Sequence, residues 1–131
     1  REKEFHNKLH TSGNPRPENK YYKALNNLYE DFLILLKYKT INKYVLDYGC
    51  GNGVYSEQVV NFNPEKITAI DISEEAIEIG KSKNNKNIDY RVENCENTKL
   101  NSNSFDLIYG VGILHHLNLN KSIKEIERLF F

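Results

Sequence analysis

Short apolar runs of strand length alternate along this chain with stretches whose apolar positions recur every three or four residues. From Tyr21 the apolar side chains recur at Leu25, Leu28, Phe32, Leu35 and Leu36, the spacing of an amphipathic helix that packs one face on a sheet and ends near Tyr38. Residues 44–47 then read as a strand with Val45 and Leu46 at its centre. A helix over 54–62 follows, stopped by Asn63-Pro64. Residues 67–70 form a second strand closing on Asp71, after which Ser73 can cap a helix over 74–83, with Glu74 and Glu75 favourably placed in its first turn. The polar run 83–87 is a turn, 88–92 a third strand, 93–104 a loop without apolar periodicity, and 105–111 a fourth strand. His115 and His116 fall on a loop, and a last helix starts at Asn118 or Asn120 with Ile123, Ile126, Leu129 and Phe130 on one face. Residues 1–20 are polar and hold Gly13, Pro15 and Pro17, which predicts a helical turn around 5–9 and a flexible N-terminal segment or lid. Residues 21–131 make the domain proper.

Strands alternating with helices of this length predict an α/β fold: a Rossmann-like parallel sheet with helices on both faces. In such a sheet the carboxyl ends of the strands share one edge, where ligands bind. The loops after Asp47, Asp71, Val92 and Val111 should therefore line one crevice. With 131 residues the chain has room for one domain. Its 18 basic and 18 acidic residues cancel, and no basic run forms a patch, so neither nucleic acid nor an anionic membrane is expected as a partner. The longest apolar run, 32–36, is far short of the roughly 20 residues that cross a bilayer, and Arg-Glu-Lys-Glu at the start lacks an apolar signal core. Cys50 and Cys95 are too few for a disulfide framework and lack zinc-ligand spacing, so a reduced, cytoplasmic chain is expected. Methionine is absent even from position 1, and the chain reads as a piece cut from a longer one.

Candidate chemistry concentrates where the first strand meets the second helix. There Tyr-Val-Leu-Asp-Tyr-Gly-Cys-Gly-Asn-Gly ends in three alternate glycines, Gly49, Gly51 and Gly53, which permit positive φ and close backbone approach. The helix starting at Val54 would turn its unpaired N–H groups and positive dipole end toward a ligand on the loop. Dinucleotide sites use G-x-G-x-x-G, whereas the spacing here is G-x-G-x-G, with Val54 in the last glycine's place. Asp47, beside the loop, suits a ligand with a cationic group and would repel pyrophosphate. Asp71 lies 22 residues after Gly49 at the end of the second strand, where one carboxylate can take both hydroxyls of a ribose. Alternatively, Asp71 only opens the turn before Ser73.

The run Asp47-Tyr48-Gly49-Cys50-Gly51-Asn52-Gly53 resembles motif I of the class I S-adenosylmethionine-dependent methyltransferases, written E/D-x-G-x-G-x-G. Glu93-Asn94-Cys95-Glu96-Asn97 and Asn103-Ser104-Phe105-Asp106-Leu107-Ile108 resemble the family's D-A-E-x-L-P-F-x-D-x-S-F-D-L-V, without insertion between Asn94 and Asp106. Gly-Val-Gly-Ile-Leu-His-His-Leu, from Gly110 to Leu117, is similar to its segment after strand four. The resemblance covers about residues 21–131 and implies S-adenosylmethionine as cofactor, S-adenosylhomocysteine as product and a small-molecule methyl acceptor. It implies that Asp47 helps hold the methionine ammonium, that Gly49, Cys50, Gly51 and Gly53 form a backbone cradle, and that Asp71 with its neighbour Ile72 meets the ribose. Asn94, standing where the family usually has Asp, would accept from the adenine 6-amino group, the Cys95 N–H would meet adenine N1, and Gly110 would let the backbone pass the methionine part. His115 or His116 can serve as a general base, and the other reading is that one caps the last helix while its neighbour packs in a loop. No residues are assigned to a metal, and Tyr21 and Tyr22 are read as core.

Family members continue into a segment like L-K-P-G-G, a fifth strand and an antiparallel hairpin, in strand order 3-2-1-4-5-7-6, so about four of the usual strands are expected here. Strand four would then be an apolar edge open to a second copy of the chain. A non-catalytic module that binds S-adenosylmethionine or S-adenosylhomocysteine, or that assembles with a partner, is the alternative function, and a dinucleotide oxidoreductase is the third.

Overall fold

A computed structural model describes residues 20–130, with side chains from residue 24 onward. The expected lid lies outside the described residues apart from Lys20, as do the side chains of Tyr21 and Tyr22. The chain divides between Phe32 and Leu33 into two compact units. The opening of helix α1 (Lys20–Lys39) falls in the first. After the end of α1, the second holds β1 (Tyr44–Tyr48), α2 (Val54–Val59), a 3-10 turn (Val60–Phe62), β2 (Lys66–Asp71), α3 (Glu74–Ser82), β3 (Ile88–Val92), β4 (Leu107–Tyr109), a 3-10 turn (Leu114–His116) and α4 (Leu119–Leu129).

All four strands are parallel and lie in the order β3-β2-β1-β4. The chain thus steps outward from β1 to β3 and then crosses to the other side of β1, which makes the β1–β4 boundary a topological switch point, the place where open α/β sheets bind ligands. Register assigns the faces. Val45 and Asp47 stand level with Ile67 and Ala69 and, across β4, with Leu107 and Tyr109, and the Ser56 hydroxyl reaches Asp47 from α2 on that side. Leu46, Tyr48 and Ile70 point the other way into a cluster with Cys95, Leu100, Phe105 and Leu129, so α4 covers the opposite face. Val45, Leu46, Ile67, Ala69 and Ile70 are fully buried, as expected for parallel strands covered on both sides. The fold is the expected Rossmann-like parallel sheet with helices on both faces.

Three expectations change. Strand four, expected over 105–111, pairs only at 107–109. At its start, Phe105 bridges in parallel to Phe130, and at its end the chain bends away through Gly110 and Gly112, the latter at φ 67°. On α1, Leu36 is buried but Leu35, expected on the same face, is exposed. On α4 the buried face is Ser122, Glu125 and Leu129 flanked by Ile126, while Ile123 is exposed. Two polar side chains occupy positions that apolar periodicity would give to leucine or isoleucine.

Glu125 is at home there because its hydrogen bonds are made. Its Oε1 accepts from the Thr98 N–H at 3.0 Å, the Thr98 hydroxyl at 2.6 Å and Arg128 Nη2 at 2.5 Å. Arg128 Nη1 also donates to the Leu100 carbonyl at 2.9 Å and the Ser102 hydroxyl at 3.0 Å, so the pair pins loop 93–104 to α4. The Arg128 guanidinium, followed by the Thr98 bonds, holds the Glu125 carboxyl down to about 2 against the opposing effect of burial. A carboxyl lowered on folding stabilises the fold fully above its ordinary value near 4.5 and loses that contribution as pH falls toward 2. Glu125→Gln is therefore expected to lower stability in urea by about 2 kcal/mol at pH 7 and by much less at pH 2.5. Equal losses at both pH values would refute this account.

Candidate functional site

The glycine loop leaves β1 with Gly49, Gly51 and Gly53 at φ 78°, 54° and 82°, a left-handed conformation that side chains other than glycine's rarely adopt. Its donors are turned inward. The N–H groups of Gly49 and Cys50 both donate to the Ile70 carbonyl, at 2.9 and 2.8 Å, that of Gly53 donates to the Cys50 carbonyl at 3.0 Å, and that of Gly51 to Asp71 Oδ2 at 2.8 Å. Lys83 Nζ secures the loop from outside through the Asn52 carbonyl at 2.8 Å. The N–H groups of these four loop residues are thus taken by the end of β2 and by the loop itself. Pyrophosphate, which needs such donors, finds few on this loop. Space is the loop's contribution: a Cβ at Gly51 would meet nothing within 4 Å, whereas one at Gly49 would overlap Ile113 and one at Gly53 would overlap the Tyr90 ring.

Beneath the loop lies Asp47, 2 % exposed. Its Oδ2 accepts from the Ser56 hydroxyl at 2.6 Å and the Tyr109 hydroxyl at 2.9 Å. Burial outweighs both bonds and pushes the carboxyl up to about 6, with Asp71 adding a smaller upward effect. Asp71, half-buried at the end of β2, accepts the Ser73 N–H on Oδ1 at 2.9 Å and the Gly51 N–H on Oδ2. Its own carbonyl receives the Glu93 N–H at 3.0 Å, which brings the next loop alongside. There the Cys95 carbonyl accepts from the buried Tyr48 hydroxyl, and the Cys95 thiol lies by the Gly49 backbone. Asn94 is exposed, and its side-chain oxygen accepts from the Glu96 N–H at 2.9 Å. Gly110 completes the edge, since a Cβ there would stand 2.7 Å from the Tyr48 carbonyl. Ile72 is 71 % exposed.

Asp47, Asp71, the loop glycines, Cys95 and Gly110 are thus gathered at the carboxyl ends of β1, β2, β3 and β4. His115 and His116 are both exposed on the 3-10 turn with ring centroids 3.8 Å apart, and among the described residues neither is bonded to Asp47 or Asp71. Asn118, not a histidine, caps α4, its side-chain oxygen accepting from the Lys121 N–H at 3.2 Å. Sequence reasoning missed Ser56, Tyr109, Tyr48 and Tyr90. Tyr109 was within reach of it, because pairing strands one and four in register sets Tyr109 level with Asp47. Tyr90 packs against Gly53 and Gly80 and donates to Glu57 Oε1 at 3.0 Å, a role that no spacing signals. Among the described residues no group of His, Cys, Asp and Glu is placed to hold a metal, and no helix is long and apolar enough to cross a membrane.

Comparison with known proteins agrees with this geometry. The family model described as a methyltransferase domain matches residues 46–130. A malonyl-[acyl-carrier protein] O-methyltransferase of Bacillus anthracis is 34% identical over 89 residues, covering 66% of this chain and 32% of that protein. A tRNA U34 carboxymethyltransferase of Nautilia profundicola is 33% identical over 78 residues, covering 57% and 26%. A SAM-dependent methyltransferase from Aquifex aeolicus superposes with a TM-score of 0.69 at 26% identity, covering 77% of this chain and 57% of that one. The chain spans about a quarter to a third of the length of these two curated relatives.

Both cysteines are buried, and burial, the largest effect on each, pushes the Cys50 thiol far up and the Cys95 thiol up to about 12. Burial thus disfavours the reactive thiolate form of both. Alkylation by iodoacetamide at pH 8 is expected to run at least about tenfold slower in the folded chain than in urea. A native rate equal to the denatured one, followed by mass spectrometry, would contradict the burial described.

Proposed function

The chain belongs to the class I S-adenosylmethionine-dependent methyltransferase family, and from that premise we propose that it is the cofactor-binding portion of an enzyme that methylates a small molecule. The observation that carries the cofactor reading is Asp71, a carboxylate at the end of β2 bonded to the glycine loop through Gly51. Each of its oxygens accepts one backbone N–H and keeps a further lone-pair site, which suits the two hydroxyls of a ribose. The rest of the edge fits as well. Gly51 opens onto unfilled space, Asp47 offers the cationic end of the ligand a carboxylate, and the Asn94 side-chain oxygen keeps a lone pair for the adenine amino group beside the Cys95 backbone.

When bound, S-adenosylmethionine supplies a methyl group activated by its sulfonium charge. The chain's part is to bind, orient and exclude water, which suffices for an in-line displacement when the acceptor is already nucleophilic. His115 and His116, on the turn after β4, are the candidates for taking a proton from an acceptor that is not. The two curated relatives are named for malonyl-[acyl-carrier protein] and for tRNA U34, so relationship leaves the acceptor open. A small molecule is favoured by the zero net charge, which offers a polyanion no attractive field.

Calorimetric titration with S-adenosylhomocysteine tests the cofactor reading. The unmodified chain should bind it in preference to NAD, and Asp71→Ala should bind at least about tenfold more weakly, about 1.4 kcal/mol for a lost charge-assisted contact. Unchanged affinity in Asp71→Ala would remove the ribose assignment, and tight NAD binding without any response to S-adenosylhomocysteine would overturn the whole reading.

A further inference from the structure

Ser56 and Tyr109 lie on different elements, α2 and β4, and both place a hydroxyl on the same oxygen of one buried carboxylate, Asp47 Oδ2. Oδ1 is left to neither. Two donors converging on one oxygen fix the plane of a carboxylate and favour its charged form. Among the described residues, the groups around Asp47 supply no positive charge to do so instead. On β1 itself its neighbour is Tyr48, α2 presents Ser56, β4 presents Tyr109, β2 ends in the carboxylate of Asp71, and the Cys50 thiol and the Tyr90 hydroxyl lie near enough to feel its charge. All of these are neutral or acidic. Among the described residues this carboxylate is met by hydroxyls and by no cation, beneath a glycine loop that is open at Gly51, an arrangement that suits a cationic ligand.

We infer that Tyr109 and Ser56 are positioning residues that keep Asp47 ionised and oriented to receive the ammonium group of the bound cofactor. The inference rests on the cofactor reading above and adds to it the residues that make Asp47 competent. Removing either hydroxyl leaves Asp47 in place but weakens its hold on charge, so ligand binding should be lost at a higher pH than in the parent chain. A purely structural role for Tyr109 would lower affinity evenly at every pH.

The test follows S-adenosylhomocysteine binding to the full chain from pH 5 to 8 by calorimetry, together with a ¹³C carboxyl titration of Asp47 without ligand. In the parent chain affinity should fall as pH drops through about 6, the value to which burial raises Asp47. In Tyr109→Phe the midpoint of both curves should move up by about half a unit or more, roughly threefold in the protonation constant, with affinity at pH 8 within about threefold of the parent. Ser56→Ala should move the midpoint the same way, and Asp47→Asn should abolish the inflection. Midpoints unmoved in both hydroxyl variants, or an inflection that survives Asp47→Asn, would overturn the inference while leaving cofactor binding intact. Absence of S-adenosylhomocysteine binding by the parent chain at every pH would instead remove the cofactor reading, and this inference with it.

Discussion

One carbonyl oxygen governs the site. Ile70, the last apolar residue of β2 before Asp71, accepts the N–H groups of both Gly49 and Cys50, so the turn that leaves β1 is fastened to the neighbouring strand at its first two residues. With the chain held there, Gly51 is delivered to the Asp71 carboxylate and Gly53 closes back on Cys50. The left-handed glycines are a condition of this fastening, since three positive φ values in five residues would strain most side chains. A loop whose donors are consumed in this way is not an anion nest. It is a fastened turn with one carboxylate, Asp47, beneath it and another, Asp71, bonded to its Gly51 N–H.

Those carboxylates differ because their surroundings differ. Asp71 is half-buried and bonded to backbone N–H groups, whereas Asp47 is buried and, among the described residues, its carboxylate is bonded to hydroxyls, and its carboxyl is pushed toward neutrality. Glu125 carries the same principle to the far side of the sheet with the opposite outcome. Buried like Asp47, it has an arginine, and its acidity is increased rather than diminished. A buried carboxylate supplied with its own cation is a structural tie, whereas one met by hydroxyls is left raised by burial.

Much of this was legible in the sequence because it depends on local chemistry. The alternation of strand and helix, the Ser73 cap, and the glycine turn with Asp47 before it and Asp71 beyond it are written in short stretches, and the structure has them where the residues place them. The parts that escaped depend on groups far apart in the chain. Nothing local says that the N–H groups of the loop would be spent on Ile70, that Tyr90 would wedge against Gly53 and Gly80, or that α4 would bury Ser122 and Glu125 where apolar spacing favoured Ile123. Polar residues in the interior defeat pattern reading because their partners, here Thr98 and Arg128, restore what burial takes away.

The strand order also sets how far the chain must travel to complete the site. Asp47 lies level with Ala69 on one side, 22 residues on, and with Tyr109 on the other, 62 residues on. Closing the longer loop carries about 0.9 kcal/mol more entropy than closing the shorter one. Docking of β4 is accordingly the most demanding pairing in the sheet, and it is the one that lays the Tyr109 hydroxyl on Asp47. The central strands β1–β3 and the glycine turn pair between nearer neighbours in the chain, while the second hydroxyl on Asp47 is supplied by the most distant strand.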